Sequence, residues 1–371
     1  AFEKRTGGEV LAIPHNGNLS NGLMFSIETS DGKRLTKEIA ALRARFEPLV
    51  EVTQIKGDGE AHPFLSPDDE FADYETWDDA NLDGTEVKQP EMLQYEYARS
   101  ALKVGLQLKK KLGINPYKFG MAAGTDAHTA LPAVAENNFF GKHSGVEPDP
   151  HRYEHVVIKS PKVPKLTTLG WQQAAGGYTA VWAYENTRAS IVDAMERKET
   201  YATTGPRMIV RFFGGWEFVE ADAQSRLPAN VGYTKGVPMG GDLHPAPAGG
   251  APTFLVAALK DPLSGNLDRI QIIKGWMDAD GETHEKVYDV AWGGDREPGA
   301  DGKLPPVGNT VDVATATWTN TIGTAELIAY WRDPDFDPNQ HAFYYARVIE
   351  IPTPRWTAYE ALRFGVRMPP D

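Results

Sequence analysis

The chain changes character near residue 216. Before this point, short apolar runs end in polar loops and alternate with segments of helical periodicity; after it, β segments are separated by Gly/Pro-rich turns. Alternating strands and helices predict an α/β core, whereas closely spaced strands predict a mainly antiparallel sheet or sandwich. We therefore expect an α/β part over residues 1–215, a β-rich part over 216–352, and a segment 353–371 that packs back on the first part.

Three short apolar runs in the first part are predicted strands whose carboxyl ends carry polar residues. Residues 9–16 place His15 at a strand tip, residues 48–52 contain Glu51, and residues 118–123 precede Asp126 and His128. Because active sites of α/β barrels are built at the carboxyl ends of the strands, these side chains should lie on one face.

The remaining elements follow from periodicity and turn residues. A long helix is expected over 90–112 with Gly113 as its C-cap, and a further helix over 187–198. We expect loops at 66–83 and 200–206, and a long excursion at 130–175. The other predicted strands are 179–183, 208–213, 253–259, 268–276, 286–292, 310–318 and 342–351.

Composition excludes several classes of protein and of site. A formal charge of -13 opposes non-specific binding to nucleic acid or to an anionic membrane. No stretch reaches the roughly 18–20 apolar residues of a membrane helix, so we expect a soluble protein. The chain has no cysteine, so any metal must be held by His, Asp, Glu or water.

Asp126 and His128 lie two residues apart after a predicted strand, so both side chains could point at one cation. Neutral imidazole and carboxylate suit divalent metals. The plain alternative is that Asp126 caps the following helix while His128 lies on the surface. His15, at an equivalent strand end, favours the metal interpretation.

Further candidates follow the strand that contains Glu51. Glu51 could bridge metals or act as a base on bound water, or it could simply pair with a neighbouring cation. Lys56 and Asp58 lie in the next Gly-containing loop, where they could contact a substrate or be solvated.

A Thr/Gly loop provides the last candidates. Thr203 and Thr204 could donate hydrogen bonds to a substrate, and Arg207 could hold a phosphate or carboxylate in bidentate fashion. The alternative for Arg207 is a structural salt bridge to Glu185 or Asp193. Asp242 and His244 repeat the ligand spacing, but they lie in a Gly/Pro-rich region where a plain loop is expected.

Five motifs resemble a known bacterial family. They are IPHN at 13–16, LVEVTQIKGD at 49–58, GTDAHT at 124–129, ETYATTGPR at 199–207 and ARVIEIPTPRW at 346–356. Together they closely resemble the family catalogued as domain of unknown function 3604. That family is similar to the PHP (polymerase and histidinol phosphatase) metallohydrolases, whose distorted barrel binds two or three divalent metals and hydrolyses phosphoesters.

The resemblance implies a fold and a metal site. It makes His15, Asp126 and His128 metal ligands and places Glu51 near the metals. The His-x-His and Thr-Asp-His motifs of PHP-like proteins do not occur in this sequence. We therefore expect an incomplete or distorted PHP-like (β/α) barrel, which an upstream segment or a second chain completes, followed by the antiparallel β part.

The expected function is metal-dependent hydrolysis of a phosphoester or related ester in a small-molecule substrate. The expected cofactor is Zn, Mn or Fe, and the candidate ligands are compatible with two or more ions. Glu51, Lys56 and Arg207 are the expected catalytic residues, and Asp58, Thr203 and Thr204 the expected substrate contacts. Two alternatives stay open: a ligand-binding protein with a structural metal, and a metallohydrolase of amide, sulfate or lactone bonds. Export signals in comparable family members suggest a periplasmic or secreted location.

Overall fold

A computed structural model describes residues 2–145 and 147–369. The α-helices are α1 (Phe2–Thr6), α2 (Lys37–Phe46), α3 (Pro90–Leu93), α4 (Ala98–Leu112), α5 (Arg188–Glu196), α6 (Pro228–Lys235) and α7 (Trp356–Phe364). The strands are β1 (Leu49–Gln54), β2 (Gly57–Asp58), β3 (Gly120–Ala123), β4 (Val156–Ile158), β5 (Thr168–Leu169), β6 (Tyr178–Val181), β7 (Thr200–Thr203), β8 (Ile209–Gly215), β9 (Gly236–Pro238), β10 (Thr253–Leu259), β11 (Leu267–Met277), β12 (Thr283–Trp292), β13 (Glu326–Arg332) and β14 (His341–Glu350). None of the helices in these ranges is long and apolar enough to cross a membrane.

Strand β1 is the centre of a small sheet in the order β2-β1-β3. It pairs antiparallel with β2 and parallel with β3. Helix α4 connects the two parallel strands, and its apolar face, including Ala101 and Val104, is buried in one core with Val50 and Val52. The helix ends at Gly113, whose φ of 79° is the left-handed conformation that glycine adopts without strain. The carboxyl ends of β1 and β3 therefore lie side by side.

Strands β6 and β7 form an antiparallel pair beside β3. Side-chain hydroxyls attach this pair to β3: the Thr179 hydroxyl donates to the Ala123 carbonyl at 2.7 Å, and the Thr200 hydroxyl donates to the Met121 carbonyl at 3.0 Å. Within residues 2–145 and 147–369 the strands form separate sheets, and none of these sheets closes into a barrel.

The later strands form two antiparallel sheets, in the orders β13-β10-β8-β9 and β12-β11-β14. Apolar side chains from both sheets share one core, in which Phe212 stacks on Phe254 with ring centroids 5.4 Å apart and Phe254 contacts Tyr344 at 4.6 Å. Alternate residues of a strand face opposite sides, so the inner faces can be apolar while the outer ones stay polar. The arrangement is a sandwich.

Helix α4 meets the sandwich through a buried cluster of ions. The Arg99 guanidinium lies 2.6 Å from Glu60, 2.7 Å from Asp69 and 3.0 Å from Glu285 of β12. Arg347 of β14 reaches Glu60 at 3.0 Å and Asp69 at 2.6 Å. Buried charges are tolerated only when they are paired, and here each guanidinium contacts at least two carboxylates.

Helix α7 anchors the long segment 130–175. Trp356 is buried against Phe139, with ring centroids 4.6 Å apart, and its indole N–H donates to the Gln173 carbonyl at 2.7 Å. Arg152 lies over the Trp356 ring at 5.0 Å and pairs with Glu360 at 3.0 Å. Residues near the end of the chain thus hold a segment that lies far earlier in the sequence.

Two segments predicted as strands are not strands. In residues 9–16, Val10 and Ile13 are 42% and 37% exposed, and only isolated backbone hydrogen bonds reach the neighbouring elements. Pro14 lacks an N–H and interrupts the ladder there, although its carbonyl accepts from Glu51 N at 3.1 Å. In residues 310–318, the Asp312 carboxylate accepts from Ala314 N at 3.0 Å, which favours a turn.

Three further predictions need correction. The helix expected over 90–112 is two helices, because Tyr97 is extended (φ -105°, ψ 139°) and buried, and Glu96 accepts from Lys88 and from Gly22 N. The loop expected from residue 200 begins as strand β7, which pairs with β6. Strand β13 is not predicted from the sequence, although it pairs with β10 along its whole length.

Candidate functional site

His15 lies at the end of the segment that runs beside β1. Its Nδ1 is 2.8 Å from Glu51 Oε1, so the other ring nitrogen, Nε2, is left free for a second partner. The next residue, Asn16, has φ 59°, and its side chain accepts from Gln54 at 2.6 Å. These two contacts fix the orientation of the imidazole against β1.

Asp126 follows β3 and has a left-handed backbone with φ 50°. Aspartate tolerates this conformation better than most residues, at a cost of roughly 1 kcal/mol, and such strain is common at functional sites. The Asp126 carboxylate is buried and turns one oxygen, Oδ1, toward two imidazoles. His128 Nε2 lies 3.2 Å from this oxygen and His15 Nε2 lies 3.7 Å from it.

Gly124 makes room for Glu51. A Cβ at position 124 would lie 2.9 Å from Glu51 Oε2, closer than real Cβ contacts. A side chain at position 124 would therefore require the Glu51 carboxylate to shift. The carboxylate that orients His15 sits where a side chain of residue 124 would project.

Two buried lysines occupy the other side of Asp126. Lys56 contacts Asp126 Oδ2 directly, and Lys142 Nζ lies 2.7 Å from the same oxygen and 3.1 Å from His128 Nε2. Neither ammonium is aligned for a hydrogen bond with Oδ2, although both are within ion-pair distance. Lys142 is a site residue that the sequence motifs miss, because it comes from the irregular segment 130–175.

Burial and the proximity of positive charges lower the pKa values of three groups in the cluster: Lys56, Lys142 and His128. Burial, and next the charge of Lys142, lower the pKa of Lys56 to about 7. Burial also lowers the pKa of Lys142. The charge of Lys142, followed by burial, lowers the pKa of His128, so its imidazole is neutral at neutral pH. A neutral imidazole is the form that binds metal ions.

The donor set fits a divalent cation in kind, because the imidazole nitrogens of His15 and His128 converge on one carboxylate. As they stand, no three or more His, Asp or Glu side chains within the described ranges are grouped so that they could hold a metal ion. Lys56 and Lys142 lie where a cation would approach Asp126. An ion at this carboxylate would therefore compete with both ammonium groups.

The other predicted site residues lie around a different space. Asp58, Thr203, Thr204 and Arg207 line a cavity of about 1330 Å³, whose wall also includes apolar side chains of α4, β8 and β14. Arg207 N donates to the Asp261 carboxylate at 2.7 Å and its guanidinium lies 5.4 Å from the Tyr178 ring centre. The metal-ligand candidates are not part of this wall.

Asp58 belongs to the polar rim of the cavity. Its carboxylate accepts from the backbone N–H groups of Glu60 and Ala61 at 3.1 and 3.3 Å. Burial, and next the charge of Glu60, raise the pKa of Asp58 to about 8. Burial and the negative charge of Glu60 therefore both favour the protonated form of the Asp58 carboxyl.

Other histidine and aspartate side chains lie outside the group that faces Asp126. His143 packs edge-on against His128, with ring centroids 5.4 Å apart. Asp242 pairs with Lys118. His155 is 3.7 Å from Asp149. Asp242 lies in an irregular segment, as the Gly/Pro-rich composition of that region predicts.

Fold and cluster together describe a mixed α/β chain with a His/Asp/Glu/Lys site at the carboxyl ends of two parallel strands. The chain belongs to the protein family of unknown function DUF3604, whose family model matches residues 1–371. No curated protein and no solved structure matches the chain.

Proposed function

We propose that the chain is a metal-dependent hydrolase related to the PHP metallohydrolases, acting on a phosphoester or related ester. One observation carries the proposal: the Nε2 atoms of His15 and His128, from segments far apart in sequence, face the same oxygen of Asp126. A carboxylate between two imidazoles is a common donor set for Zn, Mn or Fe. We also propose that residues 1–215 correspond to an incomplete or distorted form of the PHP barrel.

Each residue of the cluster has a task in this proposal. His15, Asp126 and His128 hold the ion. Glu51 orients His15 through Nδ1, as carboxylates commonly do for histidines that bind metals. A divalent ion would supply Lewis acidity and an acidified water molecule. Glu51 is therefore proposed as a positioning residue, and its expected role as a base on water becomes the less favoured one.

The two lysines bear on the choice of substrate. A hydrolase of amides or lactones needs little positive charge beyond its metal, whereas Lys56 and Lys142 both point at the candidate site. Ammonium groups stabilise the anionic oxygens of a phosphoester. The positive charge of the cluster therefore favours a phosphoester over an amide or a lactone.

We propose that the substrate is contacted by four residues that line the cavity: Asp58, Thr203, Thr204 and Arg207. Arg207 lines this cavity whereas Lys56 contacts Asp126, so a direct part in bond cleavage is less favoured for Arg207 than for Lys56. A periplasmic or secreted location remains a prediction.

A ligand-binding protein is the second candidate, and the cavity of about 1330 Å³ favours it. Cavities of this size accept molecules larger than a simple phosphate ester. In that case the ion, if bound, serves only structure, and its coordination shell has no position for water.

Metal analysis and an ester panel test the proposal. The purified protein is loaded with Zn²⁺ or Mn²⁺, analysed for bound metal, and assayed with chromogenic phosphate, sulfate and carboxylic esters with and without a chelator. We expect chelator-sensitive hydrolysis of a phosphate ester. Asp126→Ala should abolish it and lower the metal stoichiometry, whereas His151→Ala, an exposed histidine, should change neither.

Two results would count against this function. Metal stoichiometry that is unchanged in Asp126→Ala would show that the ligand assignment is wrong. A metal-loaded wild-type protein that cleaves no ester in the panel would favour the ligand-binding candidate.

A further inference from the structure

The cavity of about 1330 Å³ has a polar end around the Tyr74 hydroxyl. We call it the acidic end; it consists of Asp58, Tyr74, Glu75 and Glu136, all of which line the cavity. Burial raises the pKa of the Tyr74 hydroxyl above its ordinary value, and the negative charges of the three carboxyl groups raise it further. These carboxyl groups are therefore close enough to act on the same hydroxyl.

Two carboxyl groups of the acidic end are not paired with a cation. Glu75 pairs with Arg355 at 2.7 Å, whereas Asp58 and Glu136 have no ion-pair partner among residues 2–145 and 147–369. Asp58 Oδ2 accepts from two backbone N–H groups at 3.1 and 3.3 Å, and Glu136 Oε2 accepts from Trp356 N at 2.6 Å. The second oxygens, Asp58 Oδ1 and Glu136 Oε1, accept no hydrogen bond from the described part of the chain. They are left for a ligand.

An apolar wall begins beside the acidic end. The Tyr345 hydroxyl contacts Glu60, which follows Asp58 by two residues. Phe343, on the same face of β14, stacks on Tyr345 with ring centroids 6.3 Å apart. Aliphatic side chains of α4 and β3 line the same cavity: Leu102, Leu106 and Met121. An occupant therefore meets apolar side chains next to unpaired carboxyl groups.

These surroundings favour an amine with an apolar body over an anion or a polyol. An ammonium group donates charge-assisted hydrogen bonds to carboxylate oxygens and is attracted by tyrosine rings. An anion is repelled by carboxylates, and a polyol buries little apolar surface at the wall. Burial raises the pKa of Asp58 to about 8 and that of Glu136 to about 7, and a cation beside them favours their ionised forms.

We propose that the acidic end binds the ammonium group of an amphiphilic amine and that the apolar wall binds its hydrocarbon or aromatic body. Such a site does not require an ion at Asp126, because the metal-ligand candidates are not part of the cavity wall. The amine is part of the substrate if the chain is a hydrolase, and the ligand itself if the chain is a binding protein.

Titration calorimetry with three probes of equal chain length tests the proposal: octylammonium, octanol and octanoate. The titrations are made at about pH 8.5, where a primary amine keeps its proton. Octylammonium should bind about tenfold or more tightly than octanol, and octanoate more weakly than octanol. Asp58→Asn and Glu136→Gln should each lose most of the preference for octylammonium and keep the affinity for octanol. Glu86→Gln, an exposed carboxylate, is the matched control and should behave like the wild type.

Several results would overturn the amine site. They are equal affinity for octylammonium and octanol, tighter binding of octanoate, and no binding of any probe. A preference for octylammonium that persists in both Asp58→Asn and Glu136→Gln would place the ammonium group outside the acidic end. If circular dichroism shows that Asp58→Asn does not fold, Glu136→Gln and the wild-type ratio of affinities decide the matter. None of these results depends on metal-dependent hydrolysis, which the Asp126→Ala variant tests separately.

Discussion

Gly124 offers a test of the site at the scale of one residue. In Gly124→Ala the new methyl group would meet Glu51 Oε2 at 2.9 Å, so the carboxylate must shift, which disturbs the contact of its other oxygen, Oε1, with His15 Nδ1. We expect metal affinity to fall about tenfold, the lower part of the range for loss of such a partner. Calorimetric titration with Mn²⁺ measures it.

Gly145→Ala is the control for this substitution, since a Cβ at position 145 meets open space. It should bind Mn²⁺ like the wild type. Equal Mn²⁺ affinity in Gly124→Ala and wild type would mean that the contact between Glu51 and His15 contributes nothing to ion binding.

Residues at strand ends were predictable, and residues from irregular segments were not. Asp126 and His128 follow one apolar run and Glu51 lies within another, so their convergence could be expected from the sequence. His15 lies near Glu51 and Asp126 although its segment is not a strand, because the chain beside β1 still brings it to the same end. Lys142 has no such signal, since its position depends on tertiary contacts of an irregular segment.

At the scale of elements, helix α7 should control the order of segment 130–175. Trp356→Ala removes a buried indole that contacts Phe139 and donates to Gln173. We expect a loss of about 3–5 kcal/mol in the free energy of unfolding, as for other buried large-to-small changes. Limited proteolysis should then cut within 130–175.

The exposed Leu362 lies on the same helix and provides the comparison. Leu362→Ala should leave the cleavage pattern unchanged. Resistance of segment 130–175 in Trp356→Ala would show that Arg152 and Glu360 suffice to hold it.

The cluster between α4 and β14 predicts a stability that depends on pH. Burial opposes ionisation of Asp69, but the hydrogen bond and charge of Arg347, and the charge of Arg99, outweigh it and lower the pKa from 3.8 to about 2. A depressed pKa stabilises the fold above pH 3.8, and this contribution is lost as pH falls toward 2. The shift corresponds to about 2 kcal/mol.

Asp69→Asn should therefore lower the free energy of unfolding in urea by about 2 kcal/mol at pH 7, and the deficit should shrink as the pH approaches 2. Asp68→Asn, an exposed neighbour, should be close to the wild type at every pH. A deficit that does not change with pH would show that charge is not its cause.

Sequence periodicity predicts many of the helices and strands, whereas the other element boundaries depend on tertiary contacts. Strand β10 has the bounds that its apolar run predicts, and α4 ends at its predicted glycine. The helix break before Ala98 could not be foreseen, because it follows from the burial of Glu96 and Tyr97 against distant partners. Whether the first part is an incomplete barrel is a property of strand pairing, which a single sequence does not determine.

At the scale of the whole molecule, Arg99 ties the first part of the chain to the sandwich. It contacts Glu60, Asp69 and Glu285, so Arg99→Met removes one cation from each of these carboxylates. Glu60 and Asp69 then keep Arg347 alone, and Glu285 keeps Lys103 alone. Breaking a buried ion pair costs about 3–5 kcal/mol. Calorimetry should show one transition in the wild type and two in the variant, with the lower one assigned to the first part.

Lys111→Met, an exposed change on the same helix, should keep a single transition at the wild-type temperature. A single transition in Arg99→Met, shifted or not, would mean that apolar contacts alone make the two parts unfold together.

The anchoring of segment 130–175 by Trp356 also sets an order of events during synthesis. Trp356 follows its partner Gln173 by 183 residues, so the ribosome must add all of them before the indole can dock. At translation speeds of 5–20 residues per second the delay is roughly 10–40 s. During that interval the nascent chain already contains His15, Asp126 and His128, but Trp356 does not yet hold the segment that carries Lys142. Only chains translated past Trp356 gain this contact.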